Sequence, residues 1–143
     1  MIEVRIGNFN LRAIAHSGQC FRLYEVDEQR FELVAGSIPL SVRALGESRF
    51  CFDCEPEEFE RVWRPYFDLD ADYASYIRSI PPGDAFLTEA AALGSGLRIL
   101  RQDPWEMLIT FLLSQRKSIP AIKTAIEEIC KACGREVLSP RGE

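Results

Sequence analysis

Arg49-Phe50-Cys51-Phe52-Asp53-Cys54-Glu55-Pro56-Glu57-Glu58-Phe59-Glu60-Arg61-Val62-Trp63 changes its hydrophobic period halfway along. Up to Cys54 the apolar side chains recur at every second position, the spacing of a half-buried strand. From Pro56, a residue suited to a first helical position, Phe59, Val62 and Trp63 fall on one face of a helix. Strands first and helices afterwards predict an α+β chain.

Upstream of that junction the first 54 residues read as strands. Ile2, Val4 and Ile6 alternate with polar residues, as do Phe21 and Leu23, then Phe31, Leu33 and Ala35. Asp27-Glu28-Gln29 and Leu45-Gly46-Glu47-Ser48 read as hairpin turns, which predicts an antiparallel meander with one apolar and one wet face. Gly18 lies in a polar patch, His16-Ser17-Gly18-Gln19, between two of the runs.

Downstream, Pro65 is expected to end the first helix. A second helix carries Tyr73, Tyr76, Ile77 and Ile80 and stops at Pro81-Pro82-Gly83; a third runs from a cap at Asp84 to Gly94. Asp103-Pro104-Trp105-Glu106 is the clearest helix start, with Asp103 as cap and Glu106 completing a capping box. Trp105 to Leu113 is apolar nearly all round and reads as a buried central helix. After Ser114-Gln115-Arg116-Lys117-Ser118, Pro120 opens the last helix, with Ile122, Ala125, Ile126, Ile129, Cys130 and Cys133 on its apolar face. Lys123, Glu127 and Lys131 form its solvated side, and residues 135–143 read as an exposed tail.

The chain of 143 residues is 47% hydrophobic and 27% charged, a globular balance that excludes low-complexity and disordered classes. Its longest apolar run, Met107 to Leu113, is far shorter than the roughly 20 residues of a membrane span. MIEVRIGNFN lacks the pattern of an export signal, so a soluble, non-secreted protein is expected, cytoplasmic or nucleoid-associated in a bacterium and nuclear in a eukaryote. The net charge of −5 is the wrong sign for a nonspecific polyanion binder, but residues 98–141 carry +3 and the rest of the chain −8. A nucleic-acid surface is therefore expected toward the C-terminal end.

Few residues invite chemistry by themselves. Two Cys-x-x-Cys pairs, Cys51/Cys54 and Cys130/Cys133, suggest zinc, but strand positions i and i+3 face opposite ways and the second pair continues an apolar helical stripe. No metal and no cofactor are expected. His16 is the only histidine and reads as locally hydrogen-bonded; no glycine-rich phosphate loop and no paired acids stand out. The Ser114–Ser118 turn puts Gln115, Arg116 and Lys117 at the N-terminus of a helix, a plausible place for phosphate or base edges.

Three linked segments resemble the N-terminal part of the 8-oxoguanine DNA glycosylases of the helix-hairpin-helix superfamily. Phe9-Asn10-Leu11 with Ser17-Gly18-Gln19-Cys20-Phe21-Arg22 is similar to the family's F-x-L…SGQ-x-FRW, with Leu23 in place of the tryptophan. Tyr66-Phe67-Asp68-Leu69-Asp70 is similar to its YF-x-LD, and Gly96-Leu97-Arg98-Ile99-Leu100-Arg101-Gln102-Asp103-Pro104-Trp105-Glu106 to its G-(V/L)-R-(I/L)-L-RQDP-x-E. The agreement in order and spacing extends over residues 9–134.

The resemblance implies an antiparallel, TATA-binding-protein-like sheet domain over residues 1–65 with a helix at its end. It implies an incomplete helical glycosylase domain over 66–134. Gly18 matches the glycine whose carbonyl accepts from the N7–H that 8-oxoguanine has and guanine lacks, with Gln19 beside it in the lesion-recognition segment. Gln115, Arg116, Lys117 and Ser118 match the S-x-N-N-x-I turn that fills the hole left by an extruded base. Arg116 and Lys117 stand where the family has two asparagines, and an arginine cannot offer an amide's donor–acceptor pair to the widowed cytosine. The family's catalytic lysine and aspartate lie downstream of the matched segment, so Lys117, Lys123 and Lys131 are not expected to be nucleophiles and the chain alone is expected to be inactive. The implied partners are double-stranded DNA containing a damaged base and the C-terminal half of the same protein. The readings set against it are an alkylated-base glycosylase on the same scaffold and a noncatalytic DNA- or protein-binding module.

Overall fold

In the computed structural model, which describes residues 1–137, the alternating runs build one open five-stranded antiparallel sheet. The strands are β1 (Ile2–Arg5), β2 (Leu23–Glu25), β3 (Arg30–Ala35), β4 (Ile38–Gly46) and β5 (Arg49–Phe52), in the order β1-β5-β4-β3-β2. Hairpins join β2 through β5, while β1 closes the far edge against β5. The register lines up Leu23, Leu33 and Leu40 in one row and Phe31, Val42, Phe52 and Ile2 in the next. Every member except Ile2 is buried, so the period-2 pattern supplies one continuous core face.

One element departs from the expected run of strands. Leu11–His16 is a helix, α1, between β1 and β2. The Asn10 side chain caps it by accepting from the Ala13 N–H at 3.0 Å, and Leu11, Ile14 and Ala15 are buried at helical spacing. Strand β2 accordingly starts at Leu23, leaving Phe21 outside the sheet.

The helical segment after β5 consists of α2 (Pro56–Glu58), a π-helical turn (Phe59–Trp63) and α3 (Arg64–Tyr66). Pro65 does not end the helix as expected; it sits in the final turn, just after the backbone has widened so that the Arg64 N–H reaches the Phe59 carbonyl. Phe59 and Trp63 are buried on the sheet side, with Phe52 and Phe59 edge-to-face at 4.9 Å. Phe9, Phe50 and Phe67 continue the aromatic core, and Tyr66, Phe67 and Leu100 belong to that same cluster.

The remaining helices are α4 (Tyr73–Arg78), α5 (Ala85–Leu93), α6 (Pro104–Ser114) and α7 (Ile119–Cys133), with Asp72, Asp84 and Asp103 each accepting at an N-cap. Helix α6 is not the buried central helix that its composition predicts. Trp105 is 68% exposed and Phe111 64%, while Ile109, Thr110 and Leu113 are half-buried on the side toward α7. An apolar helix is buried only where other elements cover it, and among the described residues nothing covers the far face. Cys130 and Cys133, expected on an apolar face, are exposed, and of the stripe on α7 only Ile122 and Ile126 are buried. Of the tail, Arg135, Glu136 and Val137 are exposed and the rest lies outside the described residues.

Candidate nucleic-acid interface

The segment Gly96–Gln102 is irregular, yet hydrogen bonds tie it to the chain on both sides. Gly96, at φ +79°, lends its carbonyl to the Asn10 N–H at 2.8 Å, and a Cβ there would lie 2.7 Å from that of Asn10. Only glycine meets both demands. The Arg101 N–H reaches the Tyr66 carbonyl, and the Ile99 N–H reaches the Tyr73 hydroxyl, which itself donates to Asp68. The segment therefore straps the sheet half of the molecule to the helices that follow it.

Arg98 anchors that strap. It is 4% exposed and donates to the carbonyls of Gly7, Asn8, Asp68 and, at 3.5 Å, Ala71. Its guanidinium lies 4.6 Å from the Tyr73 ring centroid. Burial lowers its pKa from the ordinary value, with Tyr73 and Asp68 opposing the shift. The sequence pattern assigns this arginine no task; its one signal is a cation inside the apolar run Leu97–Leu100.

The same strap holds the loop that carries Gly18. Leu100 N–H donates to Gln19 Oε1 at 3.0 Å, and Gln19 Nε2 donates to the Arg98 carbonyl at 2.9 Å and to Ser17 Oγ at 3.2 Å. Gln102 Nε2 donates to the Gln19 carbonyl at 2.6 Å. Ser17 in turn donates from Oγ to the Ile14 carbonyl, tying the loop to the end of α1. Between these fixed neighbours Gly18 is exposed, sits at φ +78°, and its carbonyl accepts no hydrogen bond among the described residues.

Past the loop, the chain becomes buried again. Cys20 receives the Tyr66 hydroxyl at 3.5 Å, and burial raises both pKa values. Arg22 forms a two-pronged pair with Glu106, both distances 2.8 Å, clamping the start of β2 to the first turn of α6. Burial is the largest single influence on the Arg22 pKa and pulls it down, but the hydrogen bond to Glu106 and the neighbouring negative charge, that of Glu106 first, together outweigh it and the net shift is upward. Glu106 thus serves the sheet rather than closing a capping box, and Asp103 alone accepts from the Trp105 and Glu106 N–H groups.

Phe21 bridges to the second candidate feature. It is buried with Ile122 and Ile126 of α7, and Leu113 of α6 packs against them. Leu113 lies just before the turn Gln115–Ser118 and Ile122 and Ile126 after it, so Phe21, three residues from Gly18, packs against the two helices that the turn joins. All four turn residues are exposed. Gln115 adopts φ −60°, ψ 116°, Arg116 has φ +57°, and the Lys117 N–H closes the turn on the Ser114 carbonyl at 3.2 Å. That is a type II geometry, in which the third position favours glycine or asparagine. Among the described residues neither Arg116 nor Lys117 is in a salt bridge, so both charges face solvent.

His16, at the last position of α1, pairs locally with Glu25 at 2.9 Å. Burial pushes the Cys54 thiol up to about 11. Among the described residues no group of three or more histidine, cysteine or acidic side chains is arranged to hold a metal ion. No helix among them is long and apolar enough to cross a membrane.

Residues 1–108 match the family described as 8-oxoguanine DNA glycosylase, N-terminal domain. Among solved structures, the chain is similar to MBOgg1 in complex with a low-affinity DNA ligand, at 38% identity and a TM-score of 0.87 over 93% of this chain and 46% of that one. It is also similar to the Clostridium acetobutylicum 8-oxoguanine glycosylase/lyase in its apo form, at 33% identity and a TM-score of 0.88 over 97% and 48% of the two chains. The same Clostridium enzyme bound to double-stranded DNA with cytosine opposite 8-oxoguanine gives 34% identity and a TM-score of 0.88 over 94% and 47%. The chain spans about half the length of each of these. With its open antiparallel sheet strapped to helices, the chain belongs to the 8-oxoguanine DNA glycosylase family, residues 1–108 matching that family's N-terminal domain.

Proposed function

We propose that this chain is the lesion-reading part of an 8-oxoguanine DNA glycosylase/lyase that extrudes an oxidised purine from duplex DNA for base excision repair. The observation that carries the reading is the exposed, unpartnered Gly18 carbonyl on a loop pinned on both sides. A backbone acceptor without a side chain can approach a purine edge closely, and an N7–H facing it makes a bond that guanine cannot make. Losing that bond with the acceptor stranded costs about 1–3 kcal/mol, enough for a preference of ten- to a hundredfold. Gln115, Arg116, Lys117 and Ser118 would enter the gap left by the extruded base, with the two cations also favouring phosphate.

In this reading the sheet part, residues 1–65, has the TATA-binding-protein-like form and residues 66–134 begin the helical part. Removal of the base requires a lysine and an aspartate from polypeptide outside residues 1–143. Duplex DNA with a damaged base and that further polypeptide are the partners. The test compares the 143-residue chain with the intact gene product on duplexes holding 8-oxoguanine opposite cytosine. The intact product is expected to excise the base and to be trapped by borohydride, and the 143-residue chain to do neither. An intact product that binds such duplexes no better than undamaged DNA overturns the reading, and so does turnover by the 143-residue chain.

A further inference from the structure

We propose that Gln19 and Gln102 set the discrimination between oxidised and normal purine as positioning residues, by fixing the direction of the Gly18 carbonyl without touching the base. The inference rests on the reading of Gly18 as the purine acceptor. The Gly18 carbonyl and the Gln19 N–H share one planar trans peptide unit, so they point in opposite directions. The Gln19 N–H is turned onto Ser17 Oγ at 3.3 Å, so the exposed Gly18 carbonyl points away from that hydroxyl.

Four further bonds keep the peptide from rotating. The Gln19 carboxamide imitates a strand edge against residues 98–100, accepting from the Leu100 N–H and donating to the Arg98 carbonyl. Its second N–H goes to Ser17 Oγ, so its donor capacity is spent within the protein. Gln102 then holds the next carbonyl, that of Gln19, from the strap side at 2.6 Å. A glycine at positive φ has little steric restraint of its own, and Gly18 has open space around it. Direction at this carbonyl must come from its neighbours. A loose acceptor still meets solvent and still allows binding, but loses the preformed geometry that separates two purines differing by one proton at the accepting edge.

The experiment uses the intact gene product with Gln19→Ala and the isosteric Gln102→Glu, which replaces the donor by an acceptor facing a carbonyl. Dissociation constants are measured for duplexes carrying 8-oxoguanine or guanine opposite cytosine, together with Tm. Val42→Ala, a truncation at the centre of the sheet with no exposed surface, serves as a folding control. Both glutamine variants are expected to lose about tenfold in lesion preference through weaker lesion binding, with guanine-duplex binding unchanged. Val42→Ala is expected to lower Tm while retaining the preference. A wild-type ratio in both glutamine variants, or an equal weakening on both duplexes, overturns the inference. Absence of any preference in the unsubstituted protein instead overturns the reading of Gly18.

Discussion

Arg98→Met removes a buried cation while keeping most of the side-chain volume, and its cost can be worked out contact by contact. Three carbonyls, those of Gly7, Asn8 and Asp68, accept from Arg98 at 3.0 Å or less. Stranding a buried acceptor costs about 1–3 kcal/mol, although carbonyls near the surface regain part of this from water. Loss of the guanidinium over Tyr73 adds about 1 kcal/mol. The desolvation already spent on the arginine is returned, which reduces the sum. The net expectation is a loss of about 3–4 kcal/mol, a large share of the stability of an ordinary domain. With a urea slope of about 2 kcal/mol/M, the unfolding midpoint falls by about 1.5–2 M. Fluorescence of the fully buried Trp63 reports the transition. Arg101→Met, which breaks only an exposed pair with Asp68, is expected to shift stability by less than about 1 kcal/mol. Arg98→Lys should not restore the parent midpoint, because an ammonium cannot span the same set of carbonyls. If Arg98→Met unfolds within about 0.5 kcal/mol of the parent, the strap is not held as described.

Arg116→Asn should raise stability by about 1 kcal/mol, because a long side chain is held at φ +57°, and should weaken duplex binding by removing a solvent-facing cation; denaturant melts and duplex titrations read the two effects separately. Gly96→Ala should cost about 2–3 kcal/mol, since the added Cβ meets Asn10 at 2.7 Å in a left-handed backbone conformation, and thermal melts will show it. Stability should also fall with rising alkalinity. The Cys54 thiol titrates at 9.0 when free and is pushed up to about 11 by burial, so the unfolded chain releases its proton first and stability present below pH 9 is lost through pH 11. Cys20 and Tyr66, raised by the same cause, act in the same direction. Cys54→Ala should flatten that decline in urea midpoints measured from pH 8.5 to 10.5.

The sheet was legible because alternation at Phe31, Leu33, Phe50 and Phe52 encodes a face directly, and because Asp27–Gln29 and Leu45–Ser48 are turn-forming in composition. Helix α1 was hidden by its length: six residues give fewer than two turns, and its three buried positions alone do not separate helix from strand. Exposure of α6 was illegible for a different reason, since a side-chain pattern records what a helix needs to cover it and not which chain provides the cover. The resemblance pointed to Gly18 and to the Gln115–Ser118 turn, and the structure adds what surrounds them. What pattern reading missed was the holding of Gly18 by Gln19, Arg98 and Gln102, whose bonds span 79 to 91 positions. Contacts at that separation leave no periodic trace.

Those same separations order the birth of the molecule. Bringing Arg98 back to Gly7 closes a loop of about ninety residues, and the length-dependent part of that closure is about 4 kcal/mol. The hairpins from β2 to β5 pair locally and can assemble while later residues are still being synthesised. The bond from Gln102 to the Gln19 carbonyl beside Gly18 cannot form until Gln102 has emerged from the ribosome and docked. Fixing of the Gly18 loop is thus a late event in biogenesis, and a newly made sheet carries that loop untethered until the strap arrives.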